Sequence, residues 1–524
     1  MHSMSGHDAP YSALTRRNAL IALGGVGAGV LLPLDLSRLA LAQGATALRV
    51  RLGSDISVLD PAQIFQVENQ TVACHIFNGL VKYDQATNKI IPDLASEHTI
   101  SPDGTVYTFK LREGIKFHKN YGTLTSEDVK FTLERVLDPK GGSKYTAQLA
   151  GLAKIETPDP QTIVLTLDKP SGGFLHKLTA FNQGWIVSKK AVQQLGDKFK
   201  LNPIGTGPFA FDRWSTGAEV RLLANKDYFE GAPKFDVLQL RVIREETAAA
   251  IALEKGEIDI FYALQQPEMI ERLNKAPNIR VLSRDANHTI DLVLNTTIKP
   301  LNDVRVRQAI AHALNRRGLI DGYFQGTKAE AQSVLTRSFA EFTEDVPHYD
   351  YNPEKAKALL KEAGVSAFKF EMTTPGFSPY DKIVVPMAED LKAVGINAVI
   401  RVLERGAYTQ ARNSGRVQSC ITGVVGPPDP DSPLVTLYAK KSFPPGLNTA
   451  RYDAVEDLLA KAQMASGAEA RAAAYKAILQ KTMSDIPVIP LYADKLFLAH
   501  TDKVQGLVQN SLFTVYTYPV QLKG

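Results

Sequence analysis

The chain has 524 residues, of which 44% are hydrophobic and 22% charged, and it carries a formal net charge of +5. That length exceeds one ordinary core, so two or three domains are expected, and the composition is that of a folded protein rather than a disordered one. Basic and acidic residues are interspersed without a long like-charged block, which argues against a nucleic-acid surface.

At the N-terminus, "TRRNALIALGGVGAGVLLPL" sets Arg16 and Arg17 ahead of an apolar run from Ala19 to Leu34, and "LALAQG" then spaces Ala40 and Ala42 as small residues. This is the layout of a bacterial export signal, and the arginine pair makes it twin-arginine-like. Residues 1–42 are expected to be removed, leaving a mature chain from Gln43. The run is Gly-rich and about 16 residues long, short for a bilayer span; a retained anchor is the other reading. No later stretch is long enough to cross a membrane, so a soluble periplasmic protein is expected. Cys74 and Cys420 are the two cysteines; two buried thiols are expected rather than a disulfide.

In chain order, "ALRVRLGSDISVLDPA" opens as a strand, with Leu48, Val50 and Leu52 alternating, and breaks where Pro61 holds Asp60 extended. "TVYTFKLREG" and "TIVLTLDKP" repeat the alternation. Between them "TSEDVKFTLERVLDP" predicts a helix capped by Thr125 with Asp128 at its third position, ended by Pro139. Residues 205–225 predict a turn and a hairpin. "AAAIALEKGEIDIFYAL" reads as helix, glycine stop and strand, and "TIDLVLNTT" (289–297) as an apolar strand. Asp303 caps the next helix. Asn352 and Pro353 start another, which stops at Gly364. "YDKIVVPMAEDLKAVGINAVIRVL" predicts helix, glycine, strand. "EARAAAYKAILQKTMSD" predicts a last helix before the strand-like "IPVIPLYADKLFLAH". Helices and strands alternate with hairpins between them, which favours mixed α/β lobes. No segment resembles a flexible linker, so paired strands are expected to join the domains as a hinge.

Catalytic motifs are missing: there is no G-x-S-x-G, H-E-x-x-H or Walker loop. In "GTGPF", Pro208 would remove a backbone donor from any phosphate cradle. The eight histidines beyond residue 42 show no close ligand spacing, and Cys74-His75 reads as packed core. "GVVGPPDPDSPL" (423–434) places Asp429 and Asp431 two apart, each followed or flanked by proline; turn capping and ligand contact are the readings, ahead of catalysis.

The block "PDLASEHTISPDGTVYTFKLREGIKFHKNYGTLTSEDVKFTLERV" (92–136) resembles the signature region of family 5 extracellular solute-binding proteins, the dipeptide-, oligopeptide-, nickel- and opine-type receptors of ABC importers. "IFNGLVKYD", "NPIGTGPFAFDRW", "ALEKGEIDI", "LNDVRVRQAIAHALNR", "AKALLKEAG" and "DPDSP" are similar to further blocks of that family, in the same order. The resemblance implies an α/β, two-lobed clamshell of the type II periplasmic-binding-protein kind, in the large form with an extra subdomain. Lobe 1 would be 43–286 plus 489–524, with an inserted subdomain near 80–180, and lobe 2 would be 287–488. It implies a monomeric, non-enzymatic receptor, without cofactor or bound metal, that passes a small solute or peptide to the permease subunits of an ABC importer. Implied ligand contacts are Gly426, Asp429 and Asp431 in the proline loop, Asn295 near the hinge, and Thr206 and Gly207 in the turn. Trp185, Phe377, Ser378 and Tyr380 complete the set. Dipeptide-type receptors carry an extra Asp before the "DP" and an Arg before a Pro-Tyr pair; here those neighbourhoods hold Gly426-Pro427-Pro428 and Ser378. A free dipeptide would lose two charge-assisted partners, each worth ~1.5–3 kcal/mol, and is not the expected ligand. The alternatives are a metal-chelate receptor using His75, His118 and His176, and an exported enzyme.

Overall fold

The computed structural model describes residues 45–523, apart from 142, 144, 180–182, 425–426 and 466. The export-signal reading (1–42) and Gly426 lie outside the described residues.

The strands are β1 (Ala47–Leu52), β2 (Ala95–Ile100), β3 (Val106–Leu111), β4 (Leu152–Asp159), β5 (Thr162–Leu167), β6 (Phe209–Ser215), β7 (Glu219–Ala224) and β8 (Val237–Val242). They continue with β9 (Ile260–Leu264), β10 (Ile279–Leu294), β11 (Lys328–Ala329), β12 (Phe368–Pro375), β13 (Ile396–Leu403), β14 (Ser419–Gly423) and β15 (Val488–Thr501). An eleven-stranded sheet runs β13-β12-β14-β10-β15-β9-β1-β8-β7-β6, with β11 on the side of β15. β2, β3, β5 and β4 form a separate four-stranded antiparallel sheet.

Local chemistry explains the helices. In α1 (Ser126–Leu137) the Asp128 carboxylate accepts from the Thr125 backbone N–H at 3.1 Å. α2 (Phe174–Leu178) is a short turn of helix. α3 (Glu246–Glu254) precedes the left-handed Gly256, where a Cβ would be strained. Asp303 caps α4 (Val304–Ala313) by accepting from the Arg305 N–H at 2.9 Å, and Asn352 caps α5 (Pro353–Glu362) through the Lys355 N–H at 2.9 Å. α6 (Tyr380–Ala393), α7 (Asp431–Tyr438) and α8 (Ala468–Asp485) follow.

Two large hydrophobic cores divide the chain. The first gathers Leu48, Val50 and Leu52 of β1 with Phe109, Ile163 and Leu165 of the four-stranded sheet and Val504, Val515 and Val520 near the C-terminus. The second gathers Phe370 and Met372 of β12, Ile383 and Leu391 of α6, and Tyr475, Ile478 and Leu479 of α8.

β10 and β15 serve both cores. Leu282 and Leu498 pack in the first, while Ile290–Leu294 and Val488–Tyr492 contribute to the second. The two strands pair antiparallel from Ile279↔Thr501 to Val293↔Val488, with register shifts between Asp285 and Thr289 and between Ile290 and Asp291. The sequence reading began the apolar strand at 289; pairing with β15 extends it back to 279, through residues too polar to announce a strand. Such irregularities loosen and re-aim a ladder locally. Among the described residues, no helix is long and apolar enough to cross a membrane.

Both cysteines are free; Cys420 is buried and Cys74 half-buried, with its Sγ 3.2 Å from the Thr71 carbonyl.

Candidate functional site

A cavity of about 160 Å³ opens where β10 and β15 pass between the cores. By the volume one water needs, ~10–15 Å³ on the same measure, it holds on the order of ten waters, the size of a compact solute. β9 contributes Tyr262 to Leu264, and its ladder slips there because Ala263 takes a left-handed φ of 56°. An L-residue at positive φ is uncommon and is often found where backbone is aimed at a function. Tyr492 and Asp494–Phe497 enter from β15, Lys328 from β11, Tyr380 from the start of α6, and Gln509 and Phe513 from the C-terminal segment.

The charged lining is built on Asp494. Its Oδ2 accepts from His288 Nδ1 at 2.7 Å and its Oδ1 from Lys328 Nζ at 2.8 Å. Burial alone would raise this carboxyl, but the His288 hydrogen bond and the Lys328 charge outweigh it and hold it at about 2. The Lys328 ammonium also lies 5.6 Å from the Phe324 ring centre and 6.0 Å from that of Tyr492. Lys495 joins the lining, so it carries two lysines against one aspartate. Gln509 Nε2 donates to the Asn510 carbonyl at 3.1 Å, which fixes the amide orientation, and its buried Oε1 has no partner. That acceptor is open to a ligand N–H or O–H.

Of the residues singled out from the sequence, Tyr380 lines the cavity; burial and the nearby Asp494 push its phenol up to about 12. Phe377 packs edge-to-face on Tyr380 at 5.1 Å and beneath the Arg405 guanidinium at 5.1 Å. The Ser378 hydroxyl is 3.5 Å from that of Tyr323. Phe377, Ser378 and the other described candidates lie outside the lining. Asn295 closes its own turn, donating to the Val417 carbonyl at 3.2 Å and accepting from Thr297 Oγ1 at 2.7 Å. Thr206 donates to Asn78 Oδ1 at 3.1 Å. At Gly207 a Cβ would stand 2.5 Å from the His75 carbonyl, so the two backbones pack closely there. Trp185 bridges to Gly79 and stacks on Phe77 at 6.3 Å.

Asp429, buried, and Asp431, half-buried, sit in a second cluster, also outside the lining. Arg471 on α8 donates to Glu341 Oε1 at 3.0 Å and to Asp429 Oδ1 at 3.3 Å. The Tyr475 hydroxyl donates to Asp431 Oδ1 at 2.6 Å. Burial, with less than full compensation from Arg471, pushes Asp429 up to about 6; burial and the Asp429 charge do the same for Asp431. Each of the three histidines considered for metal makes a hydrogen bond within the protein, while His118 Nδ1 is buried without a partner. His75 Nδ1 donates to the Thr71 carbonyl (2.8 Å) and Nε2 accepts from the Thr517 N–H (3.0 Å), His118 donates to the Gly207 carbonyl (2.9 Å), and His176 Nδ1 lies 2.9 Å from the Tyr83 hydroxyl. Burial pushes all three down to about 4. No group of three metal-ligating side chains occurs among the described residues.

Sequence reasoning missed His288, Lys328, Asp494 and Gln509. The one available signal was Asp494-Lys495 interrupting an otherwise apolar strand.

Residues 89–444 match the profile of the bacterial extracellular solute-binding proteins, family 5 middle region. The chain is 31% identical over 470 residues to the glutathione-binding protein GsiB of Escherichia coli (strain K12), covering 87% of this chain and 91% of that one. Its fold is similar to that of HbpA2 from Haemophilus parasuis (TM-score 0.87, 28% identity, 91% of this chain and all of that one). It is also similar to the periplasmic binding protein DppA from Helicobacter pylori in complex with peptide STSA (TM-score 0.74, 31% identity, 92% and 99% covered). With more than half of its length matched by the family profile and this two-core α/β architecture, the chain belongs to the family 5 bacterial extracellular solute-binding proteins.

Proposed function

We propose that this receptor takes a compact, net-anionic solute of the peptide-like, glutathione-like or opine-like kind, and that a free neutral dipeptide is not its preferred ligand. As a family 5 member the chain is a solute receptor of an ABC importer. In this reading residues 43–286 with 489–524 and residues 287–488 are its two lobes, β10 and β15 are the hinge, and the solute binds in the cavity between them. Binding occurs without turnover, by a monomer exported to the periplasm after removal of residues 1–42.

One observation carries the ligand reading: a cavity lined by two lysines against one aspartate, beside an unpartnered Gln509 carbonyl. A carboxylate meets Lys328 and Lys495, an N–H or O–H meets Gln509, and aromatic walls hold the body. An amine finds no equivalent partner, because Asp494 already holds two donors and Asp429 and Asp431 are taken by Arg471 and Tyr475. The likeness to the glutathione-binding protein makes glutathione, which carries a net negative charge, the first probe.

The test is a thermal-shift screen of the chain from Gln43 against glutathione, opines, dipeptides, longer peptides, sugars and Ni²⁺ with chelators. A ligand at 100 times its Kd adds ~2.7 kcal/mol of stability. Stabilisation by glutathione or an opine with neutral dipeptides silent supports the reading. A neutral dipeptide as the strongest hit overturns it.

A further inference from the structure

The Asp429–Arg471 cluster lies where the two cores touch. Gly172, next to the first-core residue Phe174, donates its N–H to the Gln463 carbonyl at 2.6 Å. A Cβ on Gly173 would stand 3.1 Å from Asp429 Oδ2 and 3.2 Å from Asp431 Oδ2. Asn88 Nδ2 donates to the Ser338 carbonyl at 2.7 Å. The contact therefore gathers three carboxylates, the buried Glu341 and Asp429 and the half-buried Asp431, beside one guanidinium, Arg471. From the first-core side they face His176 and Lys177 of α2 and the Tyr83 hydroxyl, with Lys441 near Lys177 and Tyr475 on α8. Glu341 Oε2 and Arg471 Nη1 are buried without partners. The cluster is short of positive charge among the described residues: His176 is held neutral by burial, and Lys177 is a further cation close to the pair.

We propose that this cluster is a proton-dependent latch: bringing the two cores together takes up a proton on the Asp429–Asp431 pair, so the closed form is favoured as the pH falls. It rests on the receptor reading above for what closure accomplishes.

With the cores apart, water solvates each carboxylate, and both return towards the ordinary aspartate value of ~3.9. With the cores together, burial and mutual repulsion push both up to about 6. Between roughly pH 4 and pH 6 the closed form thus holds a proton that the open form has released. By linkage the closed-to-open ratio rises as pH falls, roughly tenfold between pH 7 and pH 5 for one carboxyl of the pair. At pH 7 and above both are ionised and the latch opposes closure.

The test is single-molecule energy transfer on the chain from Gln43, with dyes on Glu134→Cys and Lys461→Cys, two exposed positions on either side of the seam. Without added solute, the closed-to-open ratio rises about tenfold from pH 7 to pH 5. In Asp431→Asn, which keeps the Tyr475 hydrogen bond and removes the charge, the ratio is raised at pH 7 and the pH response is flattened. A wild-type ratio that does not change with pH, or an Asp431→Asn response equal to wild type, overturns the latch. Glutathione and the opines are added to the same sample at fixed pH. A chain that closes on solute but ignores pH loses the latch and keeps the receptor reading; one that responds to pH but to no solute loses the receptor reading and keeps the latch.

Discussion

The two largely enclosed acidic clusters use the same ingredients with opposite results. At the cavity one carboxylate, Asp494, has two nitrogen donors within 2.8 Å and is held at about 2. At the contact between the cores Glu341 and Asp429 share Arg471 with Asp431 close beside them, and Asp429 and Asp431 are pushed up to about 6. Burial penalises the ionised form in both places; the ratio of donors to carboxylates decides which term wins. Asp494 is therefore a fixed charge over the whole physiological range, suited to holding Lys328 in place. Burial and mutual repulsion instead raise the Asp429–Asp431 pair, towards the range where one of its protons is retained in mild acid.

The largest expected effect comes from Arg471→Met. Removing the guanidinium leaves Glu341 and Asp429 buried without their cation, beside Asp431, at a cost of roughly 3–5 kcal/mol in denaturant unfolding at pH 7.5. The loss shrinks towards pH 5, where protonation of the pair relieves it. An equal loss at both pH values would break the contrast between the clusters.

Next is acid stability. The lowered Asp494 value contributes stability that is complete above the ordinary aspartate pKa and is lost as the pH falls from about 4 to about 2, on the order of 2 kcal/mol. Asp494→Asn removes that acid step from the stability profile. The raised pair acts in the reverse direction: its contribution improves as the pH falls from about 7 to about 4, and Asp429→Asn combined with Asp431→Asn abolishes the improvement.

Lys328→Gln keeps length and packing but removes the charge that faces the cavity. Affinity for glutathione, or for whichever net-anionic solute the screen returns, should fall about 10–100-fold, as ~1.5–3 kcal/mol for a charge-assisted contact requires. Isothermal titration of the variant checks it, and an unchanged Kd would remove Lys328 from the site. Smallest is Gly173→Ala: the new methyl 3.1–3.2 Å from two carboxylate oxygens asks for a shift of a few tenths of an ångström, with an effect of about 1 kcal/mol or less on stability.

Much of the scaffold was legible because it is local. Thr125 with Asp128, Asp303, and Asn352 with Pro353 fall within three residues of the backbone they cap, and the glycine stops at 256 and 364 have the positive φ that only glycine takes without strain. Tyr380 was legible through the Pro-Tyr pair of the family resemblance. Thr206 and Gly207 come from a family-like block and Asn295 from the strand near the implied hinge; here all three make contacts within the protein, and similarity of a block does not separate packing from ligand contact.

The cavity chemistry was not legible, because its members come from far apart. His288 and Asp494 are 206 residues apart and Lys328 and Asp494 are 166 apart, joined only when β10, β15 and β11 pair in register. In the other cluster Arg471 lies 42 residues from Asp429 and 130 from Glu341. The sequence by itself determined most of the helices with their caps and glycine stops, the alternating strands, and the family to which the chain belongs, since periodicity, caps and ordered motifs act over a few residues. Tertiary structure alone decided which carboxylate meets two donors and which must share one. A buried pKa depends on the charges that long-range pairing brings within a few ångströms, and neighbours in the chain do not specify those.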